Sequence, residues 1–170
     1  MYSDELIFEH DLIELLRTKK GWKKDVLKRP TEKDLIKNWA EILFNNNRSI
    51  DRLGDYPLTD TEMEQIINQI EKLSTPLKIN GFINGKTCSI KRDNPDDVAH
   101  FGKEVRLKIY DRDEIAAGQS IYQIAEQPIF SKKSPLLPDR RGDFMLLING
   151  MPVFHIELKR TGVPVSQACY

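Results

Sequence analysis

Two apolar, β-forming runs, Asp143–Ile148 and Pro152–Leu158, lie on either side of Asn149-Gly150. Asn-Gly between alternating hydrophobic runs is the strongest short-range hairpin signal, because both residues tolerate the left-handed backbone of a tight turn. An antiparallel hairpin brings the start of the first run, with Asp143, beside the end of the second, with Glu157 and Lys159. Glu157 and Lys159 are two residues apart and so share a sheet face. Register decides whether Asp143 joins them. A regular two-residue turn sets Ile148 against Met151 and Asp143 against Ile156, and Asp143 then points away from Glu157. A three-residue turn, Ile148 to Gly150 with Gly150 left-handed, sets Leu147 against Met151 and Asp143 against His155. Asp143 and Glu157 then become diagonal neighbours on one face, about 7 Å apart at the backbone. A bulge in one strand would also bring the two acids to one face. The three-residue turn is the expected register.

Two strand-borne carboxylates at that spacing can hold Mg²⁺ while leaving positions for water and a phosphate oxygen. Lys159 can orient that water or stabilise developing charge. Met145, Leu147 and Val153 line the same face, where an unpaired acid is costly. The opposite face carries Phe144, Leu146, Ile148, Phe154, Ile156 and Leu158 and is expected to pack on helices. Catalytic candidates are therefore Asp143, Glu157 and Lys159, with Asp143 and Glu157 as metal ligands. Arg140, Arg141, Lys132, Lys133 and Arg160 flank the site and can hold phosphates.

The rest of the 170-residue chain supplies the frame for this hairpin. Residues 4–17, 32–45 and 60–74 show helical periodicity. Thr31 can accept an N–H from the first turn of the second helix, and Thr59 with Glu62 has capping-box spacing for the third. Short β-rich runs follow, at Cys88–Lys91, Val105–Tyr110 and Ile121–Phe130, with loops over 93–104 and 131–142. A single domain, 1–170, is expected, mainly helical over 1–75 and mainly β over 76–170. Lys plus Arg equals Asp plus Glu at 26 each, so any surface for nucleic acid is local rather than global. Cys88 and Cys169 imply no disulfide framework, and His10, His100 and His155 have no zinc spacing. The N-terminus lacks a basic leader and no apolar run is long enough to span a membrane, which suits a cytoplasmic setting. Gly81 and Gly85 before Lys86-Thr87 have three residues between them where a phosphate loop needs four; this run reads as Asn-Gly turns.

The segment Arg140 to Lys159, with its paired arginines, Asp143, Asn149-Gly150 and terminal Glu157-Leu158-Lys159, resembles the nuclease motif of the restriction subunit of type I restriction-modification enzymes. The likeness is close over residues 100–170 and looser before that. It implies an α+β or α/β PD-(D/E)xK, RecB-like core, with a mixed sheet flanked by helices and an N-terminal helical half. It also implies Mg²⁺-dependent cleavage of double-stranded DNA, with methyltransferase and specificity subunits as partners and ATP used by a motor region outside this chain. Enzymes of this type place a glutamate on the first helix near the metal, and Glu9 is the candidate here. The family's proline before the aspartate is Gly142 in this chain, while Pro138-Asp139 lies too far from Glu157. Gln167 precedes Tyr170 by three residues, one short of the family's Gln-x-x-x-Tyr. From this the chain is expected to be an N-terminal fragment with its nuclease core cut short at the C-terminus and inactive alone. The alternatives are an assembly or DNA-binding module without catalysis and a stand-alone RecB-like nuclease.

Overall fold

The computed structural model describes residues 3–22, 26–73, 87–110, 120–131 and 140–158, with positions 75, 77, 78, 82 and 118. These fall into two compact units, Met1–Leu35 with Ile121–Tyr170, and Ile36–Ser120. The described helices are α1 (Ser3–Lys19), α2 (Glu32–Asn46) and α3 (Asp60–Glu71). The described strands are β1 (Val26–Lys28), β2 (Thr87–Lys91), β3 (Glu104–Lys108), β4 (Tyr122–Glu126), β5 (Ile129–Phe130), β6 (Arg140–Arg141), β7 (Phe144–Ile148) and β8 (Met151–Ile156). The protein is thus a mixed α+β chain.

In the first unit a four-stranded mixed sheet runs β1-β4-β7-β8. The β1–β4 pair is parallel, and β4–β7 and β7–β8 are antiparallel. Strand alternation gives this sheet two apolar faces. Ile124, Phe144 and Leu146 pack with Ile13 of α1, joined by Leu12, Leu16, Trp22, Val26, Ile156 and Leu158. Ala125 and Leu147 on the other face pack with Leu35, Leu27 and Met145. Burial of each such side chain contributes roughly 1.5–3 kcal/mol, which makes β4 and β7 the centre of the unit. Phe154 departs from the expected apolar face: it is 59% exposed. The cause is its place on β8, whose one strand neighbour among the described residues is β7.

The expected strand Ile121–Phe130 is two strands. Gln127 has φ 49° and the buried Pro128 follows, which ends β4 and starts β5 in a new direction. The pairing of β5 with β6 also puts a short strand inside the expected 131–142 loop. Strand β1 was not expected at all, since three residues carry no readable periodicity.

The second unit pairs β2 with β3, burying Cys88, Ile90, Val105 and Leu107. Side-chain amides occupy the outer edges of this ribbon. Gln65 exchanges hydrogen bonds with the Lys91 backbone (2.8 and 3.0 Å) and Gln69 donates to Ser89 O, while Asn47 exchanges two with the Lys108 backbone. Edge groups that would template foreign strands are thereby engaged. Helix α3 begins with the expected capping box of Thr59 and Glu62, and Thr31 caps α2 by accepting from Asp34 N at 3.2 Å. Arg92 is buried at 1% exposure. Its guanidinium donates to Glu62 Oε2 (2.5 Å), Asp97 Oδ2 (2.9 Å), Tyr56 O (2.7 Å) and Pro57 O (3.4 Å).

Candidate active site

The turn between β7 and β8 is the two-residue form, not the expected three-residue form. Ile148 pairs with Met151 and Leu147 with Pro152. Asn149 (φ 51°) and Gly150 (φ 84°) are both left-handed, as such a turn requires. The Asn149 side chain also accepts from Ile121 N at 2.9 Å, tying the turn to the start of β4. A regular hairpin after this turn would place Asp143 opposite Ile156. Instead the register shifts between Leu146 and Leu147: Leu146 pairs with Phe154, Met145 with His155 and Phe144 with Ile156. Val153 is the extra residue of a β-bulge.

The bulge has a packing cause. Without it His155 and Glu157 would point into the apolar face beneath α1, and Ile156 and Leu158 would point away from it. With it, Ile156 and Leu158 join the Ile13–Phe144–Leu146 core. Exposing two aliphatic side chains and burying two polar ones is the costlier arrangement.

The pairing Phe144–Ile156, continued one step, sets Asp143 directly against Glu157 on the same face. Met145, rather than Asp143, faces His155. Contacts around the acids agree with this placement. Asp143 Oδ2 accepts the Leu158 N–H in a short hydrogen bond. Glu157 Oε1 lies 2.9 Å from His155 Nε2, with side chains 25% and 44% exposed respectively. The His155 ring stands 6.1 Å from that of Phe130. Among the described residues the second oxygen of each carboxylate has no partner, and no three His, Cys, Asp or Glu are grouped closely enough to hold a metal ion.

The remaining sequence candidates divide between described and undescribed residues. Glu9 is 6% exposed, buried on α1 one turn before Ile13, so it is no surface glutamate. Gln127 Nε2 donates to its Oε2 at 3.4 Å, and the Gln127 N–H donates to Asp143 O at 2.7 Å. Gln127 thus links the first helix to the aspartate strand. Arg140 and Arg141 form β6, pairing with Phe130 and Ile129, and lead directly into Gly142 and Asp143. Lys159, Arg160, Lys132, Lys133 and Asp139 lie outside the described residues, as do Lys86, Cys169 and Tyr170.

Sequence reading missed His155 and Gln127. Only His155 carried a signal, being two residues before Glu157 on one strand. Gln127 becomes visible through the fold alone. A separate cleft of about 280 Å³, lined by His10, Glu14, Arg17, Lys28 and Glu126 among others, includes neither acid of the hairpin. The hairpin acids sit at the partly exposed end of two strands. No described helix is long and apolar enough to cross a membrane.

Comparison with known proteins gives a consistent picture. The chain is 29% identical over 168 residues to the type I restriction enzyme SsaAORF53P endonuclease subunit of Staphylococcus saprophyticus, covering 99% of this chain and 16% of that protein. It is 26% identical over 167 residues to the type I restriction enzyme SauMSSORF170P endonuclease subunit of Staphylococcus aureus, covering 98% of this chain and 16% of the relative. The chain therefore spans about a sixth of the length of these relatives. The family described as type I restriction enzyme R protein N terminus matches residues 2–170, and the chain belongs to that family.

Proposed function

We propose that this chain is the nuclease domain of a type I restriction enzyme, a PD-(D/E)xK-type unit that hydrolyses DNA phosphodiester bonds with Mg²⁺. The observation that carries the reading is the bulged register, which sets Asp143 against Glu157 on one face at the open end of β7 and β8. Two carboxylates without nitrogen or sulfur ligands suit a hard ion that keeps several waters, as Mg²⁺ does. Asp143 and Glu157 would hold it, each through the oxygen not already engaged. When bound, the metal would lower the pKa of a water and offset charge on the phosphate. Asp143 is fixed for this task by the Leu158 N–H. Glu9, linked through Gln127 to the aspartate strand, would be the first-helix candidate for the metal. Lys159 would orient the attacking water or stabilise the charge that develops on the phosphate oxygens. Arg140 and Arg141, on the strand leading to Asp143, would grip backbone phosphates, with Lys132, Lys133 and Arg160 as further contacts.

Since the relatives are about six times longer, the ATP-driven motor, the methyltransferase and specificity partners and the double-stranded DNA substrate are inferred for the assembled enzyme, acting in the cytoplasm. The test is cleavage of DNA by the assembled restriction enzyme carrying Asp143→Asn, Lys159→Ala or Asp139→Asn. Asp143→Asn and Lys159→Ala should reduce cleavage at least 100-fold with ATP hydrolysis intact, and Asp139→Asn should cut normally. Normal cleavage by Asp143→Asn would leave the chain as an assembly or DNA-binding module.

A further inference from the structure

We propose that Gly142 and His155 act as one device that holds the Glu157 carboxylate, with His155 as a positioning residue and Gly142 as the space that admits its ring. Its bearing on metal binding rests on the function proposed above; the Gly142–His155 coupling does not.

Three observations support it. His155 Nε2 is 2.9 Å from Glu157 Oε1, so an Nε2–H imidazole donates to that oxygen without needing to be charged. The ring is also held on a second side, tilted at 57° to Phe130 with centroids 6.1 Å apart. The third observation concerns Gly142. A Cβ built there would stand 2.5 Å from His155 Nε2 and 3.4 Å from Glu157 Oε1, closer to the ring nitrogen than real Cβ atoms come. Gly142 is not one of the glycines with positive φ, so left-handed backbone is not the reason for a glycine there. The glycine leaves a space that the histidine ring fills, and a Cβ there would push the ring off its place beside Glu157. Gly142 also sits between β6 and Asp143, with its N–H on Pro128 O at 3.1 Å, so it cannot drift away from the ring.

The consequence lies in Glu157. It follows the last residue of β8, an edge strand among the described residues, and its side chain is 25% exposed. Fixing Oε1 orders the side chain and leaves Oε2 for the metal. Partners of this kind around a ligating carboxylate typically change metal affinity 10- to 100-fold. Partial exposure of this pair argues for the lower end, about tenfold.

The experiment is Mn²⁺ titration by calorimetry, together with thermal unfolding, on the 170-residue chain. His155→Val should weaken Mn²⁺ binding about tenfold. His155→Gln, whose amide can donate from nearly the same place, should stay within about threefold. Gly142→Ala should weaken binding as His155→Val does, and should add nothing in the His155→Val background. The unfolding midpoint should follow the same pattern. Gly142→Ala should lower it by roughly 3–6 °C in the wild type and by less than about 1 °C beside His155→Val. An equal drop in both backgrounds overturns the pairing. Wild-type Mn²⁺ affinity in His155→Val, with binding lost in Glu157→Gln, overturns the positioning role. If wild type and Glu157→Gln take up Mn²⁺ equally poorly, the metal-site reading fails, and the unfolding cycle still decides the Gly142–His155 pair.

Discussion

Replacing Arg92 by Met removes a guanidinium while keeping most of the stem volume. In the folded chain that guanidinium is fully buried, against a Glu62 side chain at 0% exposure and an Asp97 side chain at 1%. Removing one partner of a buried pair costs about 3–5 kcal/mol, because the remaining charge is left in a poor solvent. Two features hold the value to the lower part of that range. Glu62 keeps the Thr59 and Asp93 N–H groups, and Asp97 keeps the His100 N–H and ring. The carbonyls of Tyr56 and Pro57 lose a donor, which works in the other direction. With a urea slope of about 2 kcal/mol/M, a loss of 3–4 kcal/mol moves the midpoint down by about 1.5–2 M. Trp39 lies in the same unit as Arg92, so its fluorescence in a Trp22→Phe background reads the transition. Acid adds a second readout. Burial raises the pKa of Asp97, but hydrogen bonds from Arg92 and His100 outweigh it and hold the carboxyl below its ordinary value. The stability this contributes is complete above the unfolded carboxyl pKa of about 3.9 and is lost as pH falls through the lower folded value. Arg92→Met should therefore move acid unfolding to higher pH. A midpoint change under about 0.5 M with an unchanged acid limb would refute the reasoning that this buried network stabilises the unit.

Deleting Val153 should straighten β8 while keeping Leu146 on Phe154, Phe144 on Ile156 and Asp143 on Glu157; Mn²⁺ affinity should stay within about threefold, and its loss would show that the bulge itself shapes the site. Burial lifts the Cys88 thiol to about 11, so in a Cys169→Ser background only about one molecule in a thousand carries a thiolate at pH 8. Alkylation of Cys88 should then proceed only on unfolding, and rapid labelling of the native chain would contradict the packing of β2.

The sequence by itself determined the local elements. Apolar spacing sufficed for α1, α2 and α3, because a helix face is set by residues three and four apart. Thr59 with Glu62 and Asn149-Gly150 announced a helix start and a tight turn, since each depends on a few adjacent backbone groups. The same hairpin text named Asp143 and Glu157. It could not fix how they meet. The three-residue turn expected from the sequence brings the acids to one face, but the chain keeps the two-residue turn and reaches that face by a bulge. The bulge at Val153 was decided by α1 and β4, which offer Ile156 and Leu158 an apolar site that His155 and Glu157 cannot use. Tertiary structure likewise buries Glu9 of the first helix and brings it to Gln127, 118 residues away in sequence. It also gave Gly142 a reason that its own neighbours do not supply, the approach of the His155 ring from the opposite strand. These outcomes depend on which faces must leave water together, a property of the assembled sheet and helix that is absent from any short stretch of chain.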